Sequence, residues 1–166
     1  QNDSIKRYVE VLSKNIRYMF KSGMHTVPLS EEMQNVQYYY EMQELRYPGS
    51  VFYYGEYNKE EENWPIPQML IHTVVENIYK HAVSVDNLIT ILVQVNKTEY
   101  KGQEMLCISI EDDGEGYPEE ILKQFQAGEK PKPSEDGTHL GLWSLWEMLR
   151  IMYDRNDLME LKNAEP

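Results

Sequence analysis

The chain of 166 residues is long enough to bury one sizeable core and sits close to the ~150-residue prior for a single domain. Apolar residues make up 41% and charged residues 27%, ordinary for a globular chain, but 28 acidic against 16 basic residues leave a net charge of -12. That charge, with the basic residues scattered singly, excludes general nucleic-acid binding; one cysteine, Cys107, excludes an intrachain disulfide framework; and apolar runs such as Ile91-Leu92-Val93 fall far short of the ~18–20 residues that span a bilayer.

In chain order, Ser4 to Ser22 is predicted to be a helix, since Ile5, Tyr8, Val9, Leu12, Ile16, Met19 and Phe20 recur at spacings of three and four. Ser30, with Met33 where an acid is usual, makes half a capping box for a second helix over Glu31 to Tyr47, stopped by Pro48-Gly49. The pair suggests a hairpin or coiled-coil-like flank, or plain core. Val51 to Tyr57 is aromatic and β-prone, so a strand is expected, followed by an acidic loop over Lys59 to Asn63. Pro65 and Pro67 are expected to open a third helix running to Val83. Leu88 to Asn96 and Met105 to Asp112 read as strands, Pro118 to Gln124 as a short helix, and Ala127 to Thr138 as a Gly/Pro-rich mobile segment. A last helix covers Leu140 to Tyr153, and Leu158 to Leu161 is expected to begin a further strand. The order predicts an α+β fold with a mixed sheet under helices, preceded by a helical pair. Starting at Gln1 without an initiator Met, the chain reads as a piece of something longer.

Three segments carry chemistry. On the third helix, at 100° per residue, Leu70, Ile71, Val74, Val75, Ile78 and Ala82 share an arc expected to face the sheet. Thr73, Glu76, Asn77, Lys80 and His81 share an adjoining arc of about 140°. An amide carbonyl suits Mg²⁺, which keeps most of its waters, and an ammonium suits phosphate; the alternative is a solvated face with a Glu76–Lys80 pair. In Asp112-Asp113-Gly114-Glu115-Gly116-Tyr117-Pro118, Asp112 continues the series Leu106, Ile108, Ile110 and is expected to point inward. With two glycines beyond it, the carboxylate suits the amino group of a flat base; the alternative is an ordinary strand-to-helix turn. Gly137-Thr138-His139-Leu140-Gly141-Leu142 opens the last helix, where free amides favour an anion, although a plain glycine turn reads the same way.

Taken in order, Glu-Asn-x-x-Lys-His on a helix, a strand ending Asp-x-Gly-x-Gly, a flexible segment and Gly-x-x-x-Gly-Leu on a helix resemble the ATP-binding domain of sensor histidine kinases. That domain lies within the GHKL, or Bergerat-fold, ATPases, and the likeness is to the YesM/LytS-like group, carried by Pro67 to His81 and by Val27 to Glu32 with Tyr39, Gln43 and Arg46. The resemblance implies a two-layer α/β sandwich over residues 48–166, shortened at its C-terminal end, with residues 1–47 as a linker or dimerisation-proximal segment. It implies Mg²⁺ on Asn77, Lys80 and His81 beside the ATP phosphates, and Asp112 on the adenine amino group with Gly114 and Gly116 as the wall. It places Gly137, Thr138, His139, Leu140, Gly141 and Leu142 over the triphosphate, with Ala127 to Thr138 as the ATP lid. Glu76 matches the position of a water-activating base in the superfamily's hydrolases.

The chain departs from the pattern at four places: His139 stands at a glycine, Ser144 at an Asn, His72-Thr73 at Gln-Pro, and Asp113 at an Asn. None of the four histidines lies in a phosphoacceptor context. The resemblance therefore implies a kinase catalytic domain that binds Mg-ATP and phosphorylates a histidine on a separate helix, of its own or a partner subunit. A response regulator would be the next acceptor, within a homodimeric parent of the bacterial inner membrane whose cytoplasmic part this is. The alternatives are a non-catalytic regulatory module of the same fold with weak or no nucleotide binding, favoured by His139, and another superfamily member acting on serine or water.

Overall fold

The computed structural model describes residues 2–19, 25–130 and 139–165. Its elements are α1 (Asn2–Met19), β1 (Thr26–Pro28), α2 (Leu29–Arg46), β2 (Val51–Tyr57), a 3-10 turn (Lys59–Glu61), β3 (Pro65–Pro67), α3 (Leu70–His81), β4 (Ile89–Tyr100), β5 (Gln103–Asp112), α4 (Glu119–Ala127) and α5 (Leu140–Tyr153). β2, β4 and β5 form a mixed sheet in that order, with β2 parallel to β4 and β4 antiparallel to β5. A parallel pair requires a crossover, and α3 supplies it. Lys101 and Gly102 make the two-residue β4–β5 turn, both at positive φ, which matches the twist of the flanking strands.

Alternation along β4 buries Ile89, Ile91, Val93 and Val95, and Leu106, Ile108 and Ile110 of β5 pack beside them. Over this face lie Leu29, Met33, Val36 and Tyr39 of α2 and Ile71, Val75, Ile78 and Tyr79 of α3. Helices on one face of a mixed sheet give the expected α+β fold. A smaller second cluster joins Phe125 of α4 to Leu142 and Trp143 of α5, with Val74, Tyr117, Ile121, Met159 and Leu161 around it. α3 thus has two apolar sides, so Val74 faces the second cluster rather than the sheet.

Several expectations need correction. α2 begins at Leu29, not Glu31, and Ser30 is no cap: the first amides of the helix donate to main-chain oxygens, Leu29 N to Trp64 O at 2.9 Å and Ser30 N to Glu62 O at 2.9 Å. Pro65–Pro67 does not open α3 but pairs as β3 with β1, Val27 opposite Ile66, in a ladder short enough to tolerate three prolines. α3 starts at Leu70, after Met69 in the left-handed region. Its N-terminus is held from outside by Glu32 of α2, fully buried, whose carboxylate accepts from Met69 N at 3.0 Å and His72 N at 3.1 Å.

β4 and β5 extend beyond the expected bounds because the hairpin zips to its turn. α4 runs to Ala127, where Gly128 at positive φ ends it. Leu158 to Leu161 is not a strand. Met159 and Leu161 pack into the second cluster, Asp157 is held by Lys101 and Arg155, and Asn163 exchanges hydrogen bonds with the main chain of Tyr117 at 2.7 and 2.9 Å. Side-chain anchors at both ends of the segment take the place of a ladder. The end of the first predicted helix and most of the predicted mobile segment, with Gly137 and Thr138, lie outside the described residues.

Candidate functional site

α3 meets the β5–α4 loop and the start of α5, and the three border a candidate cleft. Gly114 fixes the first contact: a Cβ there would stand 2.8 Å from the Ala82 Cβ and 2.8 Å from Asp112 Oδ1. Only glycine lets the loop close onto the end of α3. Gly116 holds φ +82, and a Cβ there would meet the Asn163 amide. At the other end Gly141 lies over Thr73, with 3.7 Å from its notional Cβ to Thr73 Cγ2. Between them the His81 and His139 rings stack at 4.7 Å, and Tyr117 meets His139 edge-on at 6.3 Å. Burial pushes the Tyr117 phenol up to about 12, helped by Asp112, so it stays neutral.

Asp112 differs from expectation. Leu106, Ile108 and Ile110 do face the core, but Asp112 is exposed, because the cover of α3 ends at this level. Its Oδ1 accepts the Gly114 amide at 3.0 Å, the turn that the alternative reading described. Its carboxylate is exposed and keeps acceptor capacity to spare.

On α3 the polar arc is split by burial. Asn77 is only 9% exposed, and its side chain makes no hydrogen bond to another described residue. Lys80 is 66% exposed and bonds Glu76 Oε1 at 2.8 Å. His81 is exposed. The other Glu76 oxygen faces His72 Nε2 at 3.6 Å. Among the described residues no three His, Cys, Asp or Glu side chains gather into a metal cage. An unbonded amide oxygen fits one position of an ion that brings its own waters and takes the rest of its ligands from phosphate.

α5 starts at Leu140 as expected, and its first amides, at Leu140, Gly141 and Leu142, lack helical acceptors. Leu142 is fully buried in the second cluster, so only its main chain can serve a ligand. His139, the residue before the helix, holds φ +69. It occupies a conformation that costs a residue with a Cβ about 1–2 kcal/mol and that glycine adopts freely.

Sequence reasoning did not find the polar group behind the cleft. Asn35 Nδ2 lies 2.9 Å from His72 Nδ1, Tyr39 packs on the His72 ring at 4.6 Å, and His72 is 1% exposed. A polar residue at an apolar spacing of α3, together with Glu32 and Asn35 on the inward side of α2, was the available signal. Burial pulls the His72 imidazole down to about 4 against an ordinary 6.5, outweighing the Glu76 charge. Between those values the unfolded chain binds a proton that the folded chain refuses. Stability is therefore whole above pH 6.5 and falls as pH drops toward 4, by about 2–3 kcal/mol. Urea melts at pH 7.5 and 4.5 check this, and the loss is expected to shrink in His72→Gln.

The chain resembles known proteins along most of its length. The family model described as histidine kinase-, DNA gyrase B-, and HSP90-like ATPase matches residues 66–155, and that of histidine kinase matches residues 1–51. An uncharacterised sensor-like histidine kinase of Staphylococcus epidermidis is 28% identical over 87% of the chain and 27% of its own length. The sensor protein LytS of Bacillus subtilis is 27% identical over 82% of the chain and 22% of its own length. The sensor protein kinase HptS of Staphylococcus aureus is 27% identical over 87% of the chain and 27% of its own length. The chain thus spans about a quarter of the length of these relatives.

Proposed function

The chain belongs to the histidine kinase-, DNA gyrase B-, and HSP90-like ATPase family, and from that premise we propose that it is the ATP-binding catalytic part of a two-component sensor histidine kinase. One observation carries the reading: Gly114 brings an exposed Asp112 against the end of the helix that bears an unbonded Asn77. An acceptor for a base and a ligand for phosphate-bound metal then stand on segments in contact.

Asp112 accepts the adenine amino group, with Gly114 and Gly116 as the wall. Asn77 would hold Mg²⁺, which would screen the charge of the triphosphate. Lys80 turns from Glu76 to the phosphates, and His81 lies beside them. The amides of Leu140, Gly141 and Leu142 receive the phosphate tail, and Gly137, Thr138 and His139 serve the same phosphates. Positioning and charge stabilisation do most of the work in phosphoryl transfer. An imidazole nitrogen of the phosphoacceptor attacks the γ-phosphorus, the bond to the β–γ bridging oxygen breaks, and Glu76 is the candidate to take the proton lost by the imidazole.

The acceptor histidine lies on a separate segment. Within this chain His72 is shut in the core, while His81 and His139 line the cleft. An aspartate of a response regulator receives the phosphoryl group next. Exposed Ile5, Tyr8, Val9 and Leu45 on the helical pair support dimerisation of the parent. No helix among the described residues is long and apolar enough to cross a membrane, and attachment to the cytoplasmic face comes through other parts of the parent. The test is transfer of labelled phosphate from ATP to a supplied histidine-containing helix; transfer to water or serine alone contradicts the kinase reading.

A second reading, a regulatory module with weak nucleotide binding, is favoured by His139, whose main chain is strained and whose ring stacks on His81. His139→Gly separates the two. A gain of about tenfold or more in ATP affinity favours the module, and an affinity within about threefold of native favours the kinase.

A further inference from the structure

In the kinase reading Lys80 turns from Glu76 to the phosphates, which raises the question of what holds Glu76 when Lys80 leaves. The answer lies behind the helix. Glu76 Oε2 faces His72 Nε2 at 3.6 Å, and His72 Nδ1 meets Asn35 Nδ2 of α2 at 2.9 Å. An amide NH₂ only donates, so Nδ1 is the bare nitrogen and the ring proton sits on Nε2, the nitrogen on the Glu76 side. The opposite arrangement, with the Asn35 oxygen on a protonated Nδ1, would turn a lone pair toward Glu76. The Asn35 contact sets the tautomer, and the nearby Glu76 charge favours the same one.

The imidazole has little room to do otherwise. Its ring is 1% exposed and packs on Tyr39 at 4.6 Å, and its own main-chain amide donates to buried Glu32. Glu32, Asn35 and Tyr39 all belong to α2. Three anchors from one helix thus fix the residue that faces Glu76 on another.

We propose that His72 is a positioning residue: held by Asn35, it keeps the Glu76 carboxylate aimed into the cleft once Lys80 turns to phosphate, and so ties the geometry of the site to α2. This rests on the kinase reading for the role of Glu76. The link also gives movement of the linker helix a direct mechanical path to the reacting groups, through contacts rather than through the sheet.

Two measurements test it. Long-range ¹⁵N–¹H spectra of the native chain, which need no nucleotide, are expected to show His72 as the Nε2–H tautomer, with its Nε2 resonance shifted in Glu76→Gln and the tautomer mixed in Asn35→Leu. An Nδ1–H tautomer, or an Nε2 resonance indifferent to Glu76→Gln, overturns the proposal whatever the chain does with ATP. The second is phosphoryl transfer to a supplied histidine helix. His72→Leu is expected to lower kcat by about 10–100-fold with KM for ATP near native, and His72→Gln, whose amide can accept from Asn35 and donate to Glu76, to recover most of it. Equal loss in both variants, or loss only in KM, makes His72 a packing residue. A native chain that transfers nothing tells against the kinase reading, and the tautomer then decides the proposal by itself.

Discussion

Asp112→Ala is expected to weaken adenine-nucleotide binding by about 10–100-fold, the 1.5–3 kcal/mol of a hydrogen bond to a charged acceptor. The argument is geometric. Asp112 ends β5 in line with Leu106, Ile108 and Ile110, but it stands where α3 stops covering the sheet, so its carboxylate is exposed instead of meeting the core. Its bond to the Gly114 amide fixes one oxygen and leaves acceptor capacity for a ligand. Asp112→Asn keeps the size and can keep the turn, so it separates loss of the base contact from loss of the loop. The preference for ATP over GTP is expected to shrink in both variants, because an amide or a methyl no longer selects an amino group. Competition binding of the two nucleotides measures this, and an unchanged preference would remove Asp112 from the base site.

Glu32→Ala is expected to cost about 3–5 kcal/mol of folding stability. Glu32 is fully buried and accepts the amides of Met69 and His72, two of the four that α3 cannot satisfy within itself. Removal leaves buried donors without an acceptor, at about 1–3 kcal/mol each, and a cavity between α2 and α3. Glu32→Gln retains an acceptor and is expected to lose about half as much. Denaturant melts monitored at the tryptophans report it; a loss below about 1 kcal/mol in the alanine variant would mean that the α3 terminus finds other partners.

How far the sequence carried this picture depends on the range of the interaction. α5 was legible to its last residue, since its periodicity and the preceding turn are local. Asn77, Lys80, Asp112, Gly114 and His139 stood out by the order of their motifs along the chain, and the fold brings Gly114 against Ala82 and His139 against His81. The β1–β3 pairing was not. Three prolines in two short segments say nothing local about a partner some forty residues away, and Pro67 followed by apolar residues looks like the start of a helix. Asp112 was read as inward because alternation gives the direction of a side chain but not where its cover ends. Leu158 to Leu161 has the composition of a strand, yet Asp157 and Asn163 are already held by Lys101, Arg155 and Tyr117. His72 passed as a tolerable replacement, and only the contact with Asn35 reveals its place behind Glu76.

The most direct measurement is calorimetric titration of the native chain with a non-hydrolysable ATP analogue, with and without Mg²⁺, beside Asn77→Ala. A single site that tightens at least tenfold with Mg²⁺ is the expected result for the native chain, and Asn77→Ala is expected to bind equally weakly with and without the ion. A folded native chain that takes up no nucleotide under either condition would contradict the account at its centre.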